Sequence, residues 1–584
     1  MLALHGWIRE TFRIRRDPGT PKFNLELIRQ FWQLTSAFWR WNRPRVWVSY
    51  LVLGIFTAYT FGLQLLGAVS TKYTGDQLNA LAARDTNQYY HVIIVLALLA
   101  MIRTVIQTLS EIPYRLLLTR WRQWLTQEYI AFYLQNRSYY RLNRDRIVDN
   151  PDERIAVDIS QFIEFPTALL FRIIQSVSNL FIFGWVLWHI AWYLVPASAL
   201  VFGIYGVVDL FLVRPVMTLN YSSRKLEGDF RFSLVNVRTH AESIAFLGGE
   251  DVERRELANR NNLLIDNARR LVWWDGLITA WHSFNLDLQD LLPGLLLVPL
   301  FLAGKLTLSA FTQSQFAWRM FGEAFVFWGR EAQVFPSYGA IVARLSTLRA
   351  HCIGDQPDSA ADPHIAEIRS PNLAAENLTL VTPDGSRVLV QGLNFSLQHG
   401  SRMIVNGSNG VGKSSLLRGL AGLWTRGSGT VLLPPRDKLM FLPQRPYVSL
   451  GTLGEQLTYP AQRESVSDDA LCEVLGQVGL SYLEKRVGGL SAKLDWNNVL
   501  SPGEQQRLAF GRALLRHPEF VILDEATSAI DVEGERLLYD LLRAKGCSYL
   551  SVAHRVSLYP YHDTVLELKG EGAWELHPIL QAQG

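Results

Sequence analysis

From Val46 to Ser70 the chain runs for 25 residues without a charged side chain. As a helix, such a run rises about 37 Å, enough to cross the roughly 30 Å hydrocarbon core of a bilayer. The pattern recurs. His91–Tyr114 is apolar except for Arg103 and Glu111. Ile173–Ile190 is uncharged, and Ala191–Val208 follows directly and ends at Asp209. A turn around His189–Trp192 makes those two runs a helical hairpin. Leu291–Gly304 needs Leu277–Leu288 to complete a crossing, and Leu306–Trp328 holds Arg319 and Glu323. Six spans are expected.

All these runs lie upstream of residue 350, so the mean hydropathy of +0.08 averages two unlike halves. Charged residues are only 19 % of the chain, against about 25 % in an ordinary soluble protein. That excludes a disordered chain. A net charge of +4 is too mild to argue for nucleic acid, and none is expected as a partner. Basic residues gather before the first span, at Arg9, Arg13, Arg15, Arg16, Lys22, Arg29, Arg40, Arg43 and Arg45, which places the N-terminus in the cytosol. The first apolar run is too long for a cleavable signal. Leu25–Trp41 suits an amphipathic helix, either lying on the membrane or packed as a cytosolic elbow.

Two polar stretches, about Arg115–Phe165 and Arg214–Arg270, keep helical charge spacing with few breakers. They read as span helices continuing far into the cytosol. Residues 351–371 hold Pro357, Pro363 and Pro371 and suit a linker. The expected division is an N-terminal elbow at 1–45, a transmembrane domain at 46–350, the linker at 351–371 and a soluble α/β domain at 372–584. Cys352, Cys472 and Cys547, odd in number and without metal-site spacing, read as reduced thiols.

The soluble half opens with Gly407-Ser-Asn-Gly-Val-Gly-Lys413-Ser414, after the apolar strand Met403–Val405 and before the helical run Ser415–Leu423. Glycines there let backbone N–H groups converge on phosphate oxygens, and the helix N-terminus adds a favourable dipole. Lys413 suits the β- and γ-phosphates, and Ser414 suits Mg²⁺. About 110 residues on, Phe520-Val-Ile-Leu-Asp524-Glu525 is an apolar strand ending in two carboxylates. Asp524 is placed to hold Mg²⁺, and Glu525 to polarise an attacking water.

With these residues the chain resembles the ATP-binding cassette superfamily. Leu500-Ser-Pro-Gly-Glu-Gln-Gln-Arg507 looks like its signature motif and Gln444 in Phe441–Tyr447 like its Q-loop. Ser528-Ala-Ile-Asp531 looks like the D-loop and His554 like the switch histidine. The resemblance implies an exporter-type fold: a six-span helical domain with long cytosolic extensions, joined to an α/β P-loop nucleotide-binding domain. It implies ATP and Mg²⁺ as cofactors, with Glu525, His554 and Gln444 as catalytic residues. Gly407, Ser408, Asn409, Gly410, Gly412, Lys413, Ser414 and Ser415 would hold the phosphates, and Ser414, Gln444 and Asp524 the metal. It further implies a homodimer in which Ser501 and Gly503 of one subunit complete the site of the other, with Asp531 of the D-loop among the nucleotide-binding residues. Pro502 and Glu504 depart from the usual Gly and Gln. No aromatic for stacking on adenine stands near Val381–Asp384, where Pro383 offers an apolar surface.

Further stretches are similar to subfamily D half-transporters and the SbmA/BacA-like proteins with a fused ATPase. They are Arg445–Pro460, Asn150-Pro-Asp-Glu-Arg-Ile155, Glu242–Gly249 and Phe321-Gly-Glu-Ala-Phe325. The resemblance implies an ATP-driven transporter in a bacterial inner membrane, multi-pass, with a cytosolic ATPase. Asn150–Ile155 reads as structural, and Glu323 as gating or packing. Arg103, Asp287, Asp290, Arg319 and Glu323 lie in or beside spans, where charges face water or partners. Mixed signs suit a hydrophilic solute such as a peptide or a cobalamin-like molecule. An acyl-CoA or lipid carrier, or an ATP-gated channel or regulator, are the alternatives.

Overall fold

A computed structural model describes residues 25–40, 46–145, 148–332, 334–353, 365–382, 385–424 and 426–579. Of the basic N-terminal residues, Arg29 and Arg40 are among them and the others named above are not. Residues 354–364 of the expected linker also lie outside. The chain divides into two compact units, residues 1–355 and 356–584.

The first unit is helical: α1 (Leu25–Ser36), α2 (Val46–Ala82), α3 (Thr86–Leu134), α4 (Ser138–Asp145), α5 (Ile159–Ile190), α6 (Leu194–Thr239), α7 (Ala241–Leu247), α8 (Glu250–Leu302), α9 (Leu308–Ala332) and α10 (Phe335–Ile353). Five stretches among the described residues are long and apolar enough to cross a membrane. They are Val46–Ala82, Thr86–Asp145, Pro151–Ile190, Leu194–Thr239 and Glu250–Leu302. Six were expected. The sixth candidate does form a helix, α9, but Arg319, Glu323, Arg330 and Glu331 dilute its apolar character.

Several helices are far longer than a crossing needs. The 49 residues of α3 rise about 74 Å, more than twice a bilayer core. The side chain of Asp85 caps its start by accepting from the Gln88 N–H at 3.1 Å. Leu98, Met101, Val105, Leu109, Ile112 and Leu116 stand exposed along it; an apolar surface of that length suits lipid and not water. The hairpin turn between α5 and α6 falls at Ala191–Tyr193.

Close backbone approaches lock the bundle. Ser309, at the start of α9, donates to Asp76 Oδ1 at 2.9 Å, and its N–H donates to Asn79 Oδ1 at 3.1 Å. The ring of Phe202, fully buried on α6, lies where a Cβ on Gly322 of α9 would stand. Glycine there lets the two helices meet. Ser176 on α5 donates to Ala324 O on α9 at 3.2 Å. The Phe321–Phe325 stretch is therefore built as a packing face, while Glu323 itself stays exposed.

At the far end of α5, Asn150 takes a left-handed backbone (φ 40°) and Pro151 starts the chain into helix. Arg154 is buried. It donates to Asp149 O at 3.0 Å and to Arg344 O at 2.7 Å, and forms an ion pair with the Asp149 carboxylate. Arg344 in turn donates its Nε to Asp158 Oδ2 at 2.7 Å. The Asn150–Ile155 stretch thus ties α5 to α10. Helix α1 packs Leu27 and Leu34 beside Trp121, Phe162 and Tyr338, while Leu25 and Trp32 on it remain exposed.

The second unit holds two sheets. A four-stranded one has the order β1-β5-β2-β3, from β1 (Ala366–Arg369), β2 (Leu373–Val381), β3 (Val388–Leu397) and β5 (Gly427–Leu433). A six-stranded one has the order β10-β9-β4-β8-β7-β6. It is built from β4 (Arg402–Gly407), β6 (Leu439–Leu442), β7 (Phe520–Asp524), β8 (Ser548–Val552), β9 (Thr564–Gly570) and β10 (Ala573–Pro578). Every pairing in it is parallel except β9 with β10. Parallel strands need both faces covered, and all five residues of β8 are buried. Helices α11 (Lys413–Leu420), α12 (Leu453–Thr458), α13 (Asp468–Gln477), α14 (Leu483–Val487), α15 (Trp496–Val499), α16 (Pro502–Arg516) and α17 (Val532–Ala544) complete the unit.

Candidate active site

Four neighbouring parallel strands, β4, β8, β7 and β6, end side by side, and each delivers a candidate residue from its C-terminal edge. Open α/β sheets bind ligands there. Strand β4 runs into Gly407 and the phosphate loop, β8 into His554, β7 into Asp524 and Glu525, and β6 into Gln444.

The loop needs its glycines. Gly407 has φ 147°, and a Cβ there would sit 2.6 Å from Leu568 O; Gly412 has φ 116°, with Leu389 against it. Ser408, Asn409 and Gly410 form the turn between them. Lys413, buried at the first position of α11, donates Nζ to Gly407 O at 2.6 Å and to Ser408 O at 3.2 Å. The ammonium therefore sits within the ring of the loop. Burial lowers its pKa, and Glu525 and Asp524 pull it back. Ser414 and Ser415 follow on the first turn of α11, at its positive dipole end.

Burial pushes the Asp524 carboxyl up, Glu525 adds to that, and Arg418 and Lys413 oppose it. Glu525 takes φ 47°, a conformation that costs a non-glycine residue of order 1–3 kcal/mol. Its N–H donates to Val552 O at 3.0 Å, which pins the turn to β8. Gln444 Nε2 donates to Glu525 Oε2 at 2.8 Å, and His554 Nε2 lies 3.6 Å from Glu525 Oε1. Lys413, Asp524, Glu525, Gln444 and His554 are therefore gathered in one place. A serine hydroxyl, a carboxylate and an amide carbonyl at this edge form the hard-oxygen donor set that suits Mg²⁺.

Ser501 and Gly503 belong to a separate corner at the start of α16. Ser501 accepts from the Glu504 N–H at 3.3 Å, and Glu504 Oε2 accepts from the Ser501 N–H at 2.8 Å, a capping box. Pro502 sits at the first helical position, where its missing N–H costs nothing. A Cβ on Gly503 would stand 2.8 Å from Ala529 O, so this corner is pressed on the Ser528–Asp531 loop. Asp531 caps α17 and accepts from Arg507 Nη2 at 3.1 Å.

The motif reading left out the side chain that joins these loops. Gln506 donates to Gln444 O at 3.0 Å and to Ser528 Oγ at 3.1 Å, and accepts from the Ala529 N–H at 2.9 Å. Arg555 holds the same loop through Ile530 O at 2.9 Å and Ser528 O at 3.2 Å. Gln506 lies within the signature motif, though no role was given to it there, and Arg555 adjoins His554; these positions were the available signal. Trp424 was missed as well: its Nε1 donates to Val381 O at 2.9 Å and fixes the end of β2. Pro383, expected against the base, lies outside the described residues.

Of the span charges, Arg103, Asp287, Asp290, Arg319 and Glu323 are exposed. Asp209, where the apolar run of α6 ends, is buried; its Oδ1 lies 2.8 Å from His282 Nε2 and joins α6 to α8. Beside it, Tyr205 and Trp281 stack at 5.6 Å.

Residues 44–298 match the family described as ABC transporter transmembrane region 2, and residues 390–528 match the family described as ABC transporter. The chain is 36 % identical over 557 residues to an uncharacterised ABC transporter ATP-binding protein of Synechocystis sp., covering 91 % of this chain and 82 % of that one. It is 29 % identical to the lysosomal cobalamin transporter of Homo sapiens, with 96 % and 97 % covered. The same identity holds against the chloroplastic ABC transporter D family member 2 of Arabidopsis thaliana, with 93 % and 86 % covered. In fold it is similar to a bacterial Atm1-family ABC exporter solved with ATP bound, at a TM-score of 0.72 and 20 % identity over 91 % of this chain and 95 % of that one.

Proposed function

The chain belongs to the ABC transporter family, as a half-transporter homologous to subfamily D, and on that premise we propose how it works and what it carries. Its activity is ATP hydrolysis coupled to movement of a solute across a membrane. What carries the catalytic reading is the delivery of Lys413, His554, Glu525 and Gln444 by four adjacent strand ends.

In this reading Glu525 accepts the proton of the attacking water. Gln444 holds one of its oxygens, and the strained backbone at Glu525 fixes where the carboxylate points. Lys413 and the N–H groups of Gly407–Ser415 bind the phosphates, and His554 approaches the γ-phosphate. Ser414, Asp524 and Gln444 hold Mg²⁺, which supplies charge neutralisation when bound. One chain carries one P-loop and one signature corner, so two copies are needed for two composite sites. A symmetric homodimer is the simplest closed form, with Ser501, Gly503 and Asp531 completing the partner's site.

Helix α9 is proposed as the sixth span. Its 25 residues rise about 37 Å, and it packs on α2, α5 and α6. Exposed span charges of both signs and the named cobalamin relative favour a hydrophilic solute, a peptide or a cobalamin-like molecule. The Asn150–Ile155, Glu242–Gly249 and Phe321–Phe325 stretches support the likeness to subfamily D half-transporters, and within that likeness we propose the SbmA/BacA-like branch. A bacterial inner membrane, with the ATPase in the cytosol, follows from that branch. The test is uptake into liposomes holding the purified protein. ATP-dependent accumulation of cobalamin or a labelled peptide, lost in Glu525→Gln, is expected; flux that continues in that variant would make the protein a channel.

A further inference from the structure

The signature corner carries a carboxylate, Glu504, next to the serine that must face an anionic phosphate. A carboxylate in that place repels the ligand unless something neutralises it. Arg486, on α14, donates Nη1 to Glu504 Oε1 at 2.7 Å and Nη2 to Glu504 Oε2 at 3.2 Å. The same guanidinium donates to Val499 O at 3.3 Å. It therefore grips the chain on both sides of Leu500–Ser501. The Tyr482 hydroxyl adds a hydrogen bond to Glu504 Oε1 at 2.7 Å, and Arg486 lies over the Tyr482 ring at 5.6 Å. Glu504 is nearly buried, while Arg486 is partly exposed.

We propose that Arg486, supported by Tyr482, is a positioning residue for ATP hydrolysis: it cancels and aims the Glu504 carboxylate, which sets the backbone and hydroxyl of Ser501 toward the phosphate. This rests on the composite site proposed above. The geometry gives the direction of the hydroxyl. Ser501 Oγ spends a lone pair on the Glu504 N–H, so its proton remains to be donated to an anion. Glu504 Oε2 fixes the Ser501 N–H at the same time. The carboxyl is held ionised, at about 2: burial raises its pKa, but Tyr482, Arg486 and the Ser501 N–H together outweigh that. With the carboxylate negative throughout the working pH range, its neutralisation falls to Arg486. This predicts that the arginine is dispensable once the residue beside Ser501 is neutral, because a glutamine still closes the capping box.

The experiment uses the whole purified chain in lipid nanodiscs and reads ATP turnover and binding of a fluorescent ATP analogue. Arg486→Met is expected to lower kcat at least tenfold while analogue affinity at the P-loop stays within twofold. Tyr482→Phe should lower kcat about threefold. Adding Glu504→Gln to Arg486→Met should return kcat to within threefold of Glu504→Gln alone. A wild-type rate in Arg486→Met would overturn the proposal, and so would a double variant as slow as the single, which marks a merely structural pair. Should Arg486→Met not fold, Arg486→Lys replaces it: it keeps the charge but not the two-pronged grip. A several-fold loss restored by Glu504→Gln is then expected, and no loss would overturn the idea. Lys413→Ala serves as control, since hydrolysis that survives it would sink the site reading itself and not this refinement.

Discussion

Gln444 donates its side-chain amide to Oε2 of Glu525 at 2.8 Å, across 81 residues of sequence. The loop after β6 thus holds the carboxylate at the end of β7, and the two strands are hydrogen-bonded neighbours. Replacing Glu525 by Gln removes the proposed base while keeping its size. ATP turnover should fall about a hundredfold or more, with ATP retained on a closed dimer. Steady-state hydrolysis and nucleotide retention on a sizing column check both halves. Lys413→Ala should abolish turnover with nucleotide affinity lost, so the two variants separate chemistry from binding.

Gly322 faces the ring of Phe202. Any Cβ at 322 overlaps that ring, so Gly322→Ala must push α9 from α6. Overpacking of this kind costs about 1–3 kcal/mol. Thermal unfolding in detergent should show a lower midpoint, partly restored by Phe202→Leu in the same chain. An unchanged midpoint would mean that the crossing yields without cost.

Asp209, buried on α6, meets the partly exposed His282 of α8. Removing His282 leaves the buried carboxylate without this partner, and an unsatisfied buried polar group costs about 1–3 kcal/mol. His282→Ala should therefore destabilise the unit. Asp209→Asn added to it should recover most of the loss, because a neutral amide is cheaper to bury. Double-variant unfolding measures that recovery.

His562 gives an acid limit. It is buried, its ring nitrogens meet Leu558 O at 2.7 Å and Ser551 Oγ at 2.9 Å, and burial lowers its pKa to about 4 from 6.5. The folded state binds this proton less readily than the unfolded one. Its contribution is therefore complete above about pH 6.5 and is lost as pH falls through 6.5 toward 4. The full difference amounts to about 3 kcal/mol. His562→Gln should flatten the pH dependence of the unfolding midpoint within that window, whereas an unchanged slope would place the acid sensitivity elsewhere.

Much of this was legible along the chain because it is local. Apolar runs announce their helices, and a glycine-rich turn between strand and helix announces a phosphate loop. The carboxylate pair ending β7 is visible because it interrupts an apolar strand. What escaped is long-range and polar. Gln506 reads as one more glutamine until the fold brings Gln444 and Ala529 to it. Asp209 reads as the end of an apolar run, and His282 as a lone histidine, until α6 and α8 pack. Helix α9 shows the opposite limit. Its charges lower its apolar character, while its depth in the bundle comes from Gly322 and Phe202, which no hydropathy window registers.

Pro502 alters the inventory of donors at the signature corner. A proline has no N–H to offer, and the Glu504 N–H is already committed to Ser501 Oγ. The first turn of α16 is thereby left with Gly503 to supply its leading backbone donor. A glycine at 502 would share that duty; here it is undivided. A ring at 502 also shrinks the set of shapes the unfolded corner explores. The corner therefore gives up redundancy in its contacts for a conformation set in advance by covalent structure.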